Sequence, residues 1–583
     1  MPVFLAGPHG HPGGPRPCAE DEVRRGVGGA GRGSRKGLAP PPSVTCTPRD
    51  VPAAPDFPMP DAAHEVTRRG HAPGCSRVAG TLLLAAGLCA ATARAGQDYT
   101  PAPSPSGEGP VADDVVLTES LQRAIDLRRR EDFDRMLDAR DPGELVEHAT
   151  LGDVDFDHRK LGIDTLFIVG DELFSYAFRP ENGWGGKGRR PDAIDYTPTL
   201  RRVHDGLAGG PDAFACASCH SKGGPDGAGT QSQNPFLRGD GSAIHSADQR
   251  NPPLVLGLGP VELLAREMSA ELAAEAAAAS AKAHKERKRV EQPLTAKGVS
   301  FGSVAALADG SLDYAAVEGV DRDLVVRPFG WKGHQATLRA MIEESLQIHQ
   351  GLISKRIHLA VKDGSLDAAP YGKGPWYDLD EDGVSLEIDS GMLTTEVGYL
   401  AQLEVPVIRP PRDPGLVDLF AAGRARFETI GCARCHVPTL ELNDPNLDAA
   451  AGSGPDRPAF VINVAKDGDG PKVEPRFAGP VTTYLVHLFS DLKRHDMGKD
   501  LASPAPQGTI PAPMFLTRPL WGLAETAPYL HDGRAPTIDD AIVLHGGEAA
   551  PVRDAYLALD PNDRAGIRVF LTSLSRQPKL FVP

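Results

Sequence analysis

The sequence has 583 residues, enough for several domains, and 40% of them are hydrophobic while 24% are charged. This balance is typical of a globular protein and not of a fibrous or a disordered chain. The formal net charge of -16 argues against nucleic acid as a partner, because binding to phosphates needs a concentrated basic face.

The N-terminal residues carry the pattern of an export signal. Residues 1–58 are rich in Gly, Pro and Arg without hydrophobic periodicity, which predicts disorder or sequence upstream of a true start at Met59. The apolar run 78–90 follows several arginines and leads to Ala93-Arg-Ala95, a small-x-small cleavage pattern. The run is too short to cross a bilayer. We therefore predict that 1–95 is a disordered upstream segment with a signal peptide cleaved near Ala95. The mature protein would then be periplasmic without a stable membrane span, and an N-terminal membrane anchor is the alternative.

Composition divides the rest of the chain into two predicted domains. A Pro/Ser/Gly linker covers 96–115, and a second proline-rich segment, Pro410-Pro-Arg-Asp-Pro414, separates an N-terminal domain at 116–410 from a C-terminal domain at 415–583. Residues 269–290 are rich in Ala, Lys and Glu and lack a good apolar face. This stretch predicts an exposed helical insertion in the first domain.

Each predicted domain contains one CxxCH motif. The first is Cys216-Ala-Ser-Cys219-His220, and the second is Cys432-Ala-Arg-Cys435-His436. In this pattern both thiols can add to the vinyl groups of a haem, and the histidine that follows becomes the proximal iron ligand. A chain of this composition would contain about 0.003 such motifs by chance. The motifs therefore predict two covalently attached c-type haems.

Three other uses of a CxxC pair are weaker explanations. A zinc site needs four ligands, and no further Cys or His lies at finger spacing from either motif. A thioredoxin-like pair would not have a histidine after each copy. A disulfide is also disfavoured, because the other four cysteines fall within the predicted upstream segment 1–95.

An acidic stretch between the motifs resembles a calcium loop. Asp378, Asp380 and Asp382 alternate before Gly383, as in the EF-hand pattern, and Asp389 stands where that pattern has its bidentate glutamate. Alternate carboxylates can point inward together at a hard cation. The stretch therefore predicts a calcium site, with an ordinary acidic turn as the alternative.

Four segments in the C-terminal part resemble one protein family. They are CARCHVPTL, FSDLKRHDMG, TAPYLHDGRAPTIDDAI and LHGGEA, in this order. In order and spacing they resemble the diheme oxidoreductase family of the bacterial diheme cytochrome c peroxidase superfamily. CASCH, NPPLVLG and FGWKG extend the likeness over most of 160–575. The resemblance implies a mainly α fold, with two cytochrome c-like helical haem domains and long loops.

The resemblance also implies a division of labour between the haems. In peroxidases of this kind, electrons enter at the C-terminal haem from a small redox protein, and hydrogen peroxide reacts at the N-terminal haem. The distal ligand of the relay haem is usually methionine, but the matching position here is His545. Two histidine ligands would give this haem a lower potential than a histidine and a methionine. Met497 is the alternative ligand.

For the N-terminal haem the resemblance implies His245 as the distal ligand, because it stands shortly before Asn251-Pro-Pro, and His349 is the next candidate. Glu262 is the predicted acid or base for cleaving peroxide. The sequence thus predicts a periplasmic, peroxidase-like diheme oxidoreductase. An electron-transfer cytochrome without substrate chemistry and a haem-based sensor or binding protein are the alternatives.

Overall fold

The computed structural model describes residues 162–185, 203–205, 212–239, 247–453 and 459–577. All of them belong to one compact unit, Glu108–Pro583. The predicted signal peptide in 1–95, the linker 96–115 and His245 lie outside the described residues. Within these ranges no helix is both long enough and apolar enough to cross a membrane.

The described residues contain helices throughout. They are α1 (Ile163–Ser175), α2 (Leu258–Glu286), α3 (Leu338–Ser345), α4 (Lys355–Lys362), α5 (Ser390–Gln402), α6 (Pro414–Thr429), α7 (Ile538–Val543), α8 (Ala550–Leu557) and α9 (Pro561–Leu571). A π-helical turn, Leu346–Gln350, continues α3. Short 3-10 turns occur at Pro180–Asn182, Cys216–Ser218, Gln231–Gln233, Cys432–Arg434, Leu523–Glu525 and Gly547–Ala549.

Short strands lie between these helices. They are β1 (Val203–Asp205), β2 (Phe236–Gly239), β3 (Asp248–Gln249), β4 (Val290–Ala296), β5 (Val299–Ala306), β6 (Leu312–Asp313), β7 (Val407–Ile408), β8 (Leu440–Leu442), β9 (Asn446–Asp448), β10 (Val461–Asn463), β11 (Glu474–Ala478), β12 (Val481–Val486), β13 (Arg494–Asp496), β14 (Met514–Leu516) and β15 (Leu574–Ser575). Among the described residues they form three-stranded sheets in the orders β1-β2-β3, β4-β5-β6 and β11-β12-β8. The pairs β9 with β10, β13 with β14 and β7 with β15 form two-stranded sheets.

The predicted fold class is wrong. The described region is 36% helical and 17% strand, which is a mixed α/β structure and not a mainly α pair of cytochrome c-like domains. The strands are only two to eight residues long and lie in the connections between helices. Such short strands give no extended alternating pattern in a sequence, so the connections were expected to be loops.

The stretch 269–290 is helical up to residue 286, and it has an apolar face that was not predicted. It supplies the second half of α2, and the hairpin β4-β5 begins at its end. Ala279 and Ala283 are buried with Ala306 of β5. Alanines at three- and four-residue spacing line one face of a helix, and their short side chains let a strand approach closely. Because alanine is weakly hydrophobic, this stripe did not register as an apolar face.

The larger hydrophobic core lies around α1, α2 and α5 and reaches the first CxxCH motif. Leu166 and Phe174 of α1 are buried against Tyr399 of α5 in this core. The helices approach closely at Gly398, where an added Cβ would lie 1.8 Å from Leu166. Phe174 also lies beside the motif, with its ring centroid 6.1 Å from that of His220. The core therefore holds the first motif from one side.

A smaller core supports the second motif. Phe427 of α6 and Phe570 of α9 pack together with ring centroids 5.3 Å apart, and Phe489 joins them. The two helices cross at Gly423, where an added Cβ would lie 1.9 Å from the carbonyl oxygen of Gly566. Since α6 leads directly into Cys432, this crossing fixes where the motif begins.

Replacing Gly423 by alanine is expected to destabilise the protein, even though alanine favours helix. The new methyl group would meet the backbone of α9, which cannot move aside as a side chain could, and such overpacking costs about 2 kcal/mol. Thermal unfolding followed by circular dichroism measures the effect. Gly415→Ala is the matched control in the same helix, because its nearest neighbour is the Asp413 carboxylate at 3.2 Å. Equal melting temperatures for the two variants would contradict the helix-crossing argument.

Candidate functional site

The second CxxCH motif follows the end of α6. Gly431, at φ +103°, ends the helix in a left-handed conformation, and the turn Cys432–Arg434 begins there. The backbone N–H of His436 donates to the carbonyl of Cys432 at 3.0 Å. This tight turn brings the two thiols and the imidazole to one side of the chain, as covalent haem attachment requires.

His436 and His545 face each other with matching tautomers. Nδ1 of His436 lies 3.1 Å from the Phe489 carbonyl oxygen, and Nδ1 of His545 lies 2.7 Å from that of Ala541. A carbonyl only accepts hydrogen bonds, so Nδ1 carries the proton in both neutral rings and Nε2 keeps its lone pair. Each imidazole thus has the nitrogen that ligates metal available, with the other nitrogen fixed by the backbone.

The spacing of these two rings fits one metal ion between them. A bond from a metal to an imidazole nitrogen is about 2 Å long, and the ring centroid lies about 1.2 Å beyond that nitrogen. Two imidazoles on opposite sides of one metal ion therefore have centroids about 6.4 Å apart. The observed separation is 6.4 Å, with 52° between the ring planes. Burial lowers the pKa of His436 to about 4, and the pKa of His545 is also lowered by burial. Both rings are therefore neutral, as iron ligands must be.

A cavity of about 360 Å³ surrounds this pair of histidines. Its lining is largely apolar and includes Met497, the alternative ligand, and the buried guanidinium of Arg518. Burial lowers the pKa of Arg518 to about 10, which leaves it a cation. A haem carries an apolar ring and anionic propionates, so an apolar cavity with an arginine suits it. The residues at this motif fit the predicted group.

A charged histidine lies beside the second motif. His495 is placed between two carboxylates, with Nε2 2.8 Å from Asp491 and Nδ1 2.8 Å from Glu548. Burial opposes its protonation, but the interactions with Asp491 and with Cys435 prevail and raise its pKa to about 11. The prediction for the HDMG segment named only Met497 as a ligand. The structure shows that its histidine forms a buried ion pair next to Cys435.

The first motif forms a similar turn, Cys216–Ser218. Nδ1 of His220 lies 3.3 Å from the Gly227 carbonyl oxygen, and burial lowers the pKa of this histidine to about 4. The ring is therefore neutral here as well. None of the four cysteines of the two motifs is used in a disulfide.

The π-helical turn Leu346–Gln350 contacts the first motif. The side-chain amide of Gln350 donates to Sγ of Cys216 at 3.7 Å, and Nδ1 of His349 lies 3.0 Å from the buried carboxylate of Asp212. His349 also contributes to lowering the pKa of His220. Single π turns within helices occur often at functional sites. His349, the second candidate for the distal position, is thus close to the first motif, while His245 lies outside the described residues.

A partly buried acidic cluster beside the first motif was not predicted. The hydroxyl of Tyr399 lies 2.9 Å from Asp171 and 2.6 Å from Asp226. Because a phenol has one proton, this hydroxyl can donate to only one of the two carboxylates at a time. Burial and these two neighbours raise the pKa of Glu396 well above its usual range, and Glu396 in turn helps to raise that of Cys216. These residues lie on α1, α5 and the loop after His220, so no sequence pattern joins them.

Glu262 has a structural contact in α2. Its Oε2 accepts a hydrogen bond of 2.7 Å from the backbone N–H of Leu338, the first residue of α3, and burial raises its pKa. Its neighbours Leu258 and Val261 line the cavity, but the described lining residues do not include Glu262. The structure therefore gives Glu262 a helix-capping contact, and its acid–base role stays a prediction.

The segment 251–254 connects the two motifs. At one end, the backbone N–H of Gly229, in the loop after the first motif, donates to the carbonyl of Pro252 at 2.9 Å. At the other end, the N–H of Asn251 donates to the carbonyl of His531 at 2.7 Å. Trp331 donates from Nε1 to the Asn251 carbonyl at 2.7 Å. The segment and Trp331 also line the cavity that contains His436 and His545.

The acidic stretch keeps three of its four predicted ligands together. One carboxylate oxygen each from Asp378, Asp380 and Asp382 lies within 4.8 Å of the others. Asp389 does not belong to this group. Its Oδ1 instead accepts hydrogen bonds from the N–H groups of Gly391 and Met392 and caps the N-terminus of α5.

Comparison with known proteins agrees with the features of the second motif. The model of the family described as "Di-haem oxidoreductase, putative peroxidase" matches residues 447–574, a span that begins after the second CxxCH motif and contains His495, Met497 and His545. No curated protein matches the sequence significantly.

Two solved structures show weak overall similarity. One is a MauG-like protein associated with microbial copper homeostasis, at 13% identity and TM-score 0.30, covering 73% of this chain and 92% of the other. The other is hydrazine synthase of Kuenenia stuttgartiensis, at 18% identity and TM-score 0.18, covering 32% of this chain. This chain spans 57% of that protein's length. Neither superposition is close enough to carry an argument about function. The match over residues 447–574 confirms the resemblance of the C-terminal region to the di-haem oxidoreductase family.

Proposed function

We propose that this protein is an exported diheme c-type oxidoreductase with peroxidase-like activity. In this proposal electrons enter at the C-terminal haem and the substrate reacts at the N-terminal haem. The observation that carries the proposal is the 6.4 Å separation of the ring centroids of His436 and His545, which would let both rings hold one metal ion. A site closed in this way can transfer electrons but cannot bind a substrate at its metal.

The two motifs differ in what the described residues place around them. At the second motif, His436 and His545 lie on opposite sides of the cavity and would both hold the haem iron. At the first motif, His220 supplies one ligand, and His245 and His349 are the two candidates for the opposite position. A releasable ligand there would open a position for peroxide. The haems themselves would supply electron transfer at one motif and peroxide reduction at the other.

The segment 251–254 supports transfer between the motifs. Its backbone hydrogen bonds reach the loop after the first motif and the wall of the second cavity, and Trp331 bonds to the same segment. Covalent and hydrogen-bonded connections of this kind provide a continuous path through protein atoms. We propose that electrons pass from the second motif to the first along this segment, with Trp331 beside it.

The proposed partners follow from the reaction and from charge. Reducing hydrogen peroxide to two waters takes two electrons and two protons. A small redox protein would supply the electrons, and the net charge of -16 favours a basic donor. Covalent haem attachment outside the cytoplasm agrees with the predicted signal peptide cleaved near Ala95. We therefore propose a periplasmic location for the mature protein.

Peroxide added to the fully reduced protein tests this function. We expect one equivalent of hydrogen peroxide to oxidise both haems, because the two together store the two electrons that the reaction consumes. Stopped-flow absorption spectroscopy in the haem bands measures the reaction. The double variant Cys216→Ala/Cys219→Ala is the control and should not turn over. Haems that stay reduced and low-spin in excess peroxide would indicate an electron-transfer cytochrome. Binding of carbon monoxide to the reduced protein without peroxide turnover would indicate a sensor.

A further inference from the structure

The acidic loop 378–383 contains an unsatisfied buried carboxylate. Neither carboxylate oxygen of Asp380 has a hydrogen-bond partner, although both are buried, and Asp378 and Asp382 each place an oxygen within the same 4.8 Å group. Burying a charge without a partner is costly unless a cation balances it.

Glu387 provides an independent sign that a cation belongs here. Its side chain is 0% exposed, and Oε1 has no hydrogen-bond partner. Burial raises the pKa of Glu387 well above its usual range, and the charges of Asp378 and Asp382 raise it further. Glu387 is a fourth carboxylate, four residues after Gly383 at the end of the loop, and its side chain is fully buried.

The contact between Glu387 and His358 leads to the same conclusion. Nδ1 of His358 lies 2.8 Å from the Trp376 carbonyl oxygen, so this nitrogen carries the proton in the neutral ring. Its Nε2 lone pair then faces Oε1 of Glu387 at 3.6 Å, and neither atom has a hydrogen-bond partner. Two buried acceptors that face each other repel, and a positive charge near them removes the repulsion.

We propose that Asp378, Asp380 and Asp382 bind one Ca²⁺ ion, with the buried carboxylate of Glu387 as the fourth negative charge. Calcium is the cation of choice because the ligands are carboxylate oxygens on a flexible loop, and calcium accepts six to eight such oxygens. The sequence pattern pointed to Asp389 as the closing residue. The structure assigns that place to Glu387, because Asp389 already caps α5.

The proposed ion would also brace the first CxxCH motif. Oε2 of Glu387 accepts a hydrogen bond of 2.6 Å from the backbone N–H of Ile353, and Lys355 donates its N–H to the carbonyl of Ile388 at 2.6 Å. Ile353 lies three residues after Gln350, whose side chain contacts Cys216. Fixing the acidic loop therefore fixes the backbone next to the first motif.

Calcium titration of the purified protein with both haems attached tests the proposal. After chelator treatment, isothermal titration calorimetry with CaCl₂ should show one ion bound per chain. Asp380→Asn and Glu387→Gln should each bind calcium at least about tenfold more weakly, because each removes one negative charge from the site. At a calcium concentration one hundred times Kd, the melting temperature of the unaltered protein should rise by about 3 °C. In chelator, Asp380→Asn should melt higher than the unaltered protein, because it removes an uncompensated buried charge.

A higher melting temperature of Asp380→Asn in chelator would show that this variant folds. Its expected loss of calcium binding would then not come from misfolding. Asp367→Asn is the matched control, since that aspartate only accepts a turn hydrogen bond from Ala369 and should leave calcium binding unchanged. Haem content, measured in the same samples, should be equal in all variants. An unaltered protein that binds no calcium, or an Asp380→Asn variant that binds it with equal affinity, would refute the proposal. A strong preference for Mn²⁺ or Zn²⁺ that disappears in His358→Gln would refute the choice of calcium.

Discussion

Replacing Cys216 and Cys219 together by alanine is expected to leave one covalent haem per chain. Both thioether bonds at the first motif would be lost, whereas the second motif has its own thiols and its own supporting core of Phe427, Phe489 and Phe570. Haem content by the pyridine haemochrome assay and intact mass measure the result. We expect a reduction from two haems to one, without loss of the absorption that belongs to a bis-histidine haem.

The reciprocal variant, Cys432→Ala/Cys435→Ala, is the matched control. It should also carry one haem per chain, but its spectrum should lack the features of the His436 and His545 pair. Two covalent haems in either double variant would refute the assignment of the motifs. Chains without any haem in the first variant would show that the two attachments depend on each other, contrary to the separate cores on which the motifs rest.

Changing His545 to methionine is expected to raise the reduction potential of the C-terminal haem by on the order of 0.1 V. A thioether stabilises reduced iron better than a second imidazole does, and axial ligands are a main determinant of haem potential. The neutral imidazole of His545 now faces His436 across 6.4 Å, with its other nitrogen bonded to the Ala541 carbonyl. Spectroelectrochemical titration measures the potential of each haem. The N-terminal haem should keep its potential.

Two further variants separate His545 from Met497. His545→Gly should open one axial position and give a high-spin component in the electron paramagnetic resonance spectrum, and added imidazole should restore the low-spin signal. Met497→Leu should leave both the potential and the spin state unchanged, although Met497 lines the same cavity. If Met497→Leu lost the low-spin signal and His545→Gly kept it, methionine would be the ligand.

The turns formed by the CxxCH motifs agree with what the sequence predicts, because their geometry depends only on neighbouring residues. The CxxCH spacing places two thiols and an imidazole on one turn wherever it occurs, and the turns Cys216–Ser218 and Cys432–Arg434 follow it. His545 came from comparison with a family pattern, and the structure brings its ring opposite that of His436.

Other predictions failed where the outcome depended on contacts between distant segments. The prediction of a mainly α fold was wrong because it missed short strands. The strands β7 and β15, for example, form only by pairing with each other across 166 or more residues, and no local sequence pattern reveals such a pairing. For Glu262 the structure shows a contact of Oε2 with the backbone N–H of Leu338, and its acid–base role stays a prediction. Asp389 matched a loop pattern, but the same residue begins α5, and the helix uses its oxygen.

The sequence by itself predicted the two haem-attachment motifs and the family resemblance, because both rest on residues that are close together in the chain. Only the tertiary structure decided how the groups around the motifs are combined. It brought His545 opposite His436, placed Glu387 against His358 and put the hydroxyl of Tyr399 between two carboxyls. These contacts link residues that are far apart in sequence. Their energies depend on burial and on separations of a few ångströms, and only the folded chain establishes both.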